Sequence, residues 1–286
     1  MSQIVNENYP KMDKNAIQEF KQSIIQEYNQ KEIKKYNFPT EVISLPSKGL
    51  LYSEDSPLSN GTIELKYMTA QEEDILTTPS LIKQGIVLDK LFQALIVTPI
   101  KYNDLIGADK DAIMIASRIL GYGKMYDATC TCPECTEESK VSFDLTTLEE
   151  KAFDPEIANM IAPNEFKFIL PVSNREITFK LLTHGDEKKI QLELENLKKT
   201  NKTGINKDLT TRLKYIITSI DGNTDKNAII HFVDNELFSQ DSRPLREYIK
   251  NISPGVDFNV NFTCPKCYYE GKLNLPVGVD FFWPGA

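Results

Sequence analysis

Four of the five cysteines fall in two matching C-P-x-C pairs, Cys132-Pro133-Glu134-Cys135 and Cys264-Pro265-Lys266-Cys267. A turn of this kind sets two thiolates side by side, and Zn²⁺ takes four ligands in a tetrahedron, so each pair alone is half a site. If the fold joins the pairs, residues 264 − 132 = 132 positions apart must meet. A thioredoxin-like redox pair competes for either motif by itself; two motifs in matching contexts favour metal over disulfide in a reducing cytosol. The expected site is one structural zinc per chain on Cys132, Cys135, Cys264 and Cys267. Four thiolates on one Zn²⁺ carry a net charge of about −2 and leave no position for water, so such a site holds structure and does not catalyse. Lys124, Lys140, Lys266 and Lys272 stand close in sequence to soften that charge.

The chain around each pair is a copy of the other. Ile63-Glu-Leu-Lys-Tyr-Met68 alternates like a strand and runs into Thr69-Ala-Gln-Glu72, a capping box. Ile177-Thr-Phe-Lys-Leu-Leu182 runs into Thr183-His-Gly-Asp186 in the same way, at an offset of 177 − 63 = 114. Downstream, Leu105 matches Leu237, Asp109 matches Asp241, Gly123 matches Gly255 and Phe143 matches Leu275, now at 237 − 105 = 132. The growth of 132 − 114 = 18 residues is assigned to the polar run Asn196–Asn206, read as an exposed loop. Between these landmarks Pro79 interrupts one helix, Val87, Leu88, Leu91 and Leu95 stripe another, and Asp109 is read as the cap of a third that Gly121 and Gly123 stop. Hairpins follow into and out of each cysteine pair. The expectation is an α/β (α+β) protein, an internal duplication of two pseudo-two-fold lobes clasped by a Cys₄ zinc ribbon. The lobes are placed at 41–150 and 151–286, with an N-terminal amphipathic arm over 1–40.

In that arm Ile17, Phe20, Ile24 and Tyr28 share one helical stripe between Asp13 and Lys35. It either packs on the body or binds a partner. The C-terminal Val279–Ala286, with Phe281, Phe282 and the single Trp283, is either a terminal strand packed on the hairpin or an aromatic anchor for a partner. Cys130 shares a strand face with Cys132, but its counterpart is Phe262, so it is read as core.

Catalytic groupings are thin, and the expectation is that the chain is not an enzyme. His184 sits in a cap turn and is read as a packing or capping side chain. Ser47-Lys48-Gly49 lacks the flanking residues of a P-loop, and Gly121-x-Gly123 is too short for a dinucleotide loop. A net charge of −8 opposes nucleic-acid binding, and no apolar run has the length of a membrane span.

Leu45-Pro-Ser-Lys-Gly-Leu-Leu-Tyr52, Tyr67-Met-Thr-Ala-Gln-Glu-Glu-Asp-Ile-Leu76, Leu81-Ile-Lys-Gln-Gly85, the cysteine pairs and Phe281-Phe-Trp-Pro284 together resemble the baseplate hub and hub-assembly proteins of T4-type contractile-tailed bacteriophages. The resemblance runs from about residue 42 to the end. It implies a tail baseplate structural or assembly (chaperone) protein that acts through contacts with other phage tail proteins. It would reside in the virion, or in the host cytoplasm during assembly. The zinc expectation rests on the sequence alone. The alternative class is a zinc-ribbon factor bound to nucleic acid or polymerase, which the acidic balance opposes.

Overall fold

A computed structural model describes residues 39–200, 204–277 and 279–282. The N-terminal arm, apart from its last two residues, and Trp283 lie outside the described residues. The fold is α+β, with eight helices among the described residues set on small antiparallel sheets.

The first half opens with β1 (Thr40–Ser44) and β2 (Thr62–Lys66), followed by α1 (Ala70–Thr77), α2 (Pro79–Lys83), α3 (Val87–Leu95) and α4 (Gly107–Tyr122). The hairpin of β3 (Met125–Thr131) and β4 (Glu138–Asp144) closes it. A short β5 (Glu149–Lys151) leads to β6 (Met160–Ala162), β7 (Glu165–Ile169) and β8 (Glu176–Phe179). Then come α5 (His184–Thr200), α6 (Asp208–Ile216), β9 (Ile217–Ile220), α7 (Lys226–Asn235) and α8 (Ser239–Ile252). The chain finishes with β10 (Gly255–Asp257), the hairpin of β11 (Asn259–Thr263) and β12 (Glu270–Asn274), and a 3₁₀ turn over Val279–Phe282. Strands β6-β7-β8-β9 form one sheet, and β5 crosses between the halves to pair with β10.

Local chemistry sets the same joints in both halves. Ile43 opposes Ile63 across β1–β2, and Phe168 opposes Ile177 across β7–β8. At the entry to α1, Glu72 reaches back to accept from the Thr69 amide (2.9 Å) and from Lys66 Nζ (2.6 Å). At the entry to α5, Asp186 accepts from the Thr183 amide (3.2 Å) and from Lys180 Nζ (2.6 Å). Burial pushes both carboxyls up, but the lysines and the Thr69 and Thr183 donors outweigh it and hold both below the usual carboxylate range. Their folded values therefore lie below their unfolded values of about 4. Each contributes stability above that unfolded value and loses it as pH falls through the folded one. Thermal stability is expected to fall below about pH 4 on this account. Replacing Glu72→Gln and Asp186→Asn together should flatten that acid limb in melts across pH; an unchanged limb contradicts the assignment.

Asp109 does not cap α4, as its position in the sequence suggests. The cap residue is Ile106, and Asp109 is fully buried. It accepts from the Ser47 amide (3.0 Å) and the Tyr52 hydroxyl (2.5 Å), and Tyr52 in turn accepts from the Ile106 amide (3.1 Å). The matching Asp241 accepts from the amides of Val172 (2.7 Å) and Ser173 (3.2 Å). Each aspartate thus pins a Leu-Pro turn, the one that follows β1 in the first half and the one that follows β7 in the second. Gly49 is obligatory in the first turn: its φ is +77°, and a Cβ would sit 2.2 Å from the Ser59 carbonyl oxygen.

The extra residues of the second half are not where the polar run suggests. α5 continues to Thr200, so Asn196–Thr200 is helical, and the 196–206 run is only partly loop. Between α3 and α6 the offset is 208 − 87 = 121, and between α4 and α8 it is 239 − 107 = 132. Seven of the extra residues therefore precede α6, and eleven accompany α7, whose Ile229, Phe232 and Val233 are buried.

Residues from Thr40 onward make one compact unit, and a single apolar cluster runs through both halves, from Leu45 and Leu91 to Phe179 and Leu245. Burial of each such side chain contributes roughly 1.5–3 kcal/mol. The C-terminal turn belongs to this core. Phe281 meets Tyr126 edge-on at 4.9 Å and Phe282 lies 6.0 Å from Phe92. Buried Arg118 reaches from α4 to the carbonyls of Phe281 (2.7 Å), Gly123 (3.1 Å) and Met125 (3.4 Å). Of the two readings of this segment, Phe281 and Phe282 follow the packed one, in a 3₁₀ turn rather than a strand.

Candidate metal centre

Each cysteine pair is shaped by its own hairpin turn. The Cys132 amide donates to the Glu137 carbonyl (2.9 Å) and the Thr136 amide to the Cys132 carbonyl (3.0 Å). The second turn repeats both bonds, Cys264 to Tyr269 (2.9 Å) and Tyr268 to Cys264 (3.0 Å). Thr136 and Tyr268 take positive φ, 57° and 60°, to close the loops. A non-glycine residue there costs about 1–2 kcal/mol, so both turns hold an uphill conformation that aims two sulfurs outward from the hairpin end.

The fold brings the two turns together. The sulfurs of Cys132, Cys135, Cys264 and Cys267 all lie within 4.8 Å of one another. Across the pairs, Cys132 Sγ is 3.6 Å from Cys267 Sγ, and Cys135 Sγ is 3.7 Å from Cys264 Sγ. A disulfide requires about 2.05 Å. Four thiolates around one zinc at about 2.3 Å lie about 3.8 Å apart, the edge of the tetrahedron. The donor set therefore fits a four-thiolate metal site and does not fit disulfides. Cys132 and Cys264 are fully buried, Cys135 half-buried and Cys267 exposed, so one corner of the site faces solvent.

The electrostatics around the sulfurs come from backbone and neighbouring side chains. The Cys267 amide donates to Cys264 and, with the Lys266 amide, pulls that thiol down to about 6 against its burial. Lys266 forms an ion pair with Glu137 of the opposite turn, which raises the lysine and ties the turns to each other. The expected charge softening is narrower than the sequence suggests. Lys124 sits at the far end of its hairpin, beside Met125, and is paired with Asp144 (2.7 Å).

Cys130 is buried in the core and stands outside the group of four, as does its counterpart Phe262. Burial pushes its thiol up.

The remaining candidates are accounted for by packing. His184 opens α5, with Nε2 3.2 Å from Asp89 Oδ2 and Nδ1 3.4 Å from Lys110 Nζ, and its ring is edge-on to Tyr102 at 4.7 Å. Burial and Lys110 lower its pKa. His231 is exposed beside Glu236 (3.0 Å). The Ser47–Gly49 loop spends its amides internally, Ser47 on Asp109, Lys48 on the Leu45 carbonyl and Gly49 on Ser47 Oγ, so none is left for a phosphate. No helix among the described residues is long and apolar enough to cross a membrane.

Two buried polar contacts escaped the sequence reading: the Arg118 hook and the Asp109–Tyr52 pair. An arginine among the apolar residues Ile115 and Ile119 of one helix was the available signal for the first. The second had none, because its partners are 57 positions apart.

A family model described as T4 bacteriophage base plate protein matches residues 50–283. No curated protein and no solved structure matches the chain.

Proposed function

The chain belongs to the T4 bacteriophage base plate protein family, and on that premise we propose that it is a hub structural or assembly (chaperone) component of the tail baseplate. The observation that carries this reading is the extent of the match, which spans both halves and both cysteine pairs. In this reading residues 41–150 and 151–286 are sister lobes of a duplication. The repeated Lys–carboxylate joints, the paired aspartates Asp109 and Asp241, and the two identical turns support it. One zinc on Cys132, Cys135, Cys264 and Cys267 clasps the lobes, supported by the sulfur spacing. A closed four-thiolate site supplies rigidity and no reactive position. The chain's own work is then to present fixed surfaces to other tail proteins, in the virion or in the host cytoplasm during assembly.

The test is a tagged full-length chain expressed during infection. It is expected to co-purify with tail baseplate proteins, and infection without the gene should yield tails lacking complete baseplates. Co-purification with polymerase or nucleic acid in a salt-sensitive manner, with normal baseplates, would favour the zinc-ribbon alternative and overturn the reading.

A further inference from the structure

We propose that the outer edge of β1 accepts an extended segment of another baseplate protein, which adds to β1 as β6 adds to β7; this rests on the baseplate reading above. The two halves present the same surface, covered in one and, among the described residues, open in the other.

In the second half the edge of β7 is taken. The Lys167 amide donates to the Asn159 carbonyl (2.9 Å), and Met160 pairs with Phe166. Tyr248 of α8 closes the space behind, its hydroxyl accepting from the Asn159 amide (3.0 Å) and its ring lying 5.0 Å from Phe168. Ala158 is buried beneath the segment.

In the first half Val42 stands where Lys167 stands, and Ala116 stands where Tyr248 stands. Val42 faces Glu64 across the β1–β2 ladder. Glu64 spends its amide on Thr98 Oγ1 (2.8 Å) and its carbonyl on the Val97 amide (2.9 Å), on the side away from β1. Opposed residues of such an antiparallel pair turn their backbone groups away from each other. The Val42 N–H and C=O therefore point outward, and no described residue takes them. Val42 is 61% exposed. With alanine in place of tyrosine, a groove of about 330 Å³ stays open behind the edge, lined by Ile43, Ala116, Ile119, Leu145 and Leu148.

The covered half shows what fits. Its segment turns Ala158 and Met160 toward the core and leaves Ile161 exposed. The incoming strand therefore carries small to medium apolar side chains at alternate positions, bonded through its backbone. Glu150 in the wall of the groove favours a lysine or arginine on the incoming strand.

The experiment uses the full chain and baseplate intermediates purified from cells infected by virus lacking this gene. Hydrogen exchange is measured on the chain free and bound, with two variants. Val42→Pro removes an outward amide without breaking the β1–β2 ladder, and Ala116→Tyr fills the groove as Tyr248 does. Binding is expected to slow exchange at Val42 at least tenfold, and each variant should weaken association at least tenfold with an unchanged melting temperature. Association without protection at β1, or at wild-type strength in both variants, overturns this inference and leaves the baseplate reading standing. No association of the wild-type chain overturns both. Full protection of Val42 in the dilute free chain shows that the chain covers its own edge. Protection that rises with concentration as the mass doubles shows a second copy there. Either result overturns the inference.

Discussion

Cys264→Ser is expected to abolish stoichiometric metal binding and to loosen both hairpins, including β3–β4, which carries no substitution. Cys264 Sγ lies 3.7 Å from Cys135 Sγ in the opposite turn, so the site is shared rather than owned by one hairpin. Structural zinc contributes roughly 10–16 kcal/mol in small zinc domains, against roughly 5–15 kcal/mol of net stability for a whole protein. Here an apolar cluster running through both halves also supports the fold, so the loss is expected to fall on the hairpins first. Exchange protection should drop in β3–β4 and β11–β12 together. Cys130→Ser is the control: its sulfur is outside the group of four, so metal content should stay at the wild-type level. Deprotection confined to β11–β12 in the Cys264→Ser chain would show that the hairpins are held independently.

Asp109→Ala should cost about 3 kcal/mol, the penalty for a buried acceptor removed from two donors. The Ser47 amide and the Tyr52 hydroxyl both lose their partner, and neither reaches water, since Ser47 and Tyr52 are buried. Tyr52→Phe should cost less, about 1–2 kcal/mol: it cuts the bonds to Asp109 and from the Ile106 amide, but Asp109 keeps the Ser47 amide. The two changes are coupled, so the double variant should lose less than the two single losses combined. Denaturant melts of the three variants measure this. Additive losses would mean that Asp109 and Tyr52 act separately.

The legible parts of this chain were the ones built from neighbours in sequence. Thr69 with Glu72 and Thr183 with Asp186 are three residues apart, so their capping bonds could be read directly. The two C-P-x-C turns were likewise local, and their meeting was expected from the matching segments around them. Asp109 was misread as a cap because an acid near a helix start has that reading by default; only the fold brings Tyr52 to it. The inserted residues were misplaced because polar composition marks a solvated helix end as readily as a loop. α5 runs to Thr200, into that stretch, while α7 is an amphipathic helix that nothing in its own sequence marks as extra. The open edge of β1 was not legible either, since its significance comes from comparison with the covered edge of β7.

If one metal joins the two halves, metal analysis of the full chain, purified under reducing conditions without chelator, will find one zinc per chain and four thiols that resist modification until the metal is removed. A folded chain with no bound metal, or one whose four cysteines react freely, would contradict the shared site.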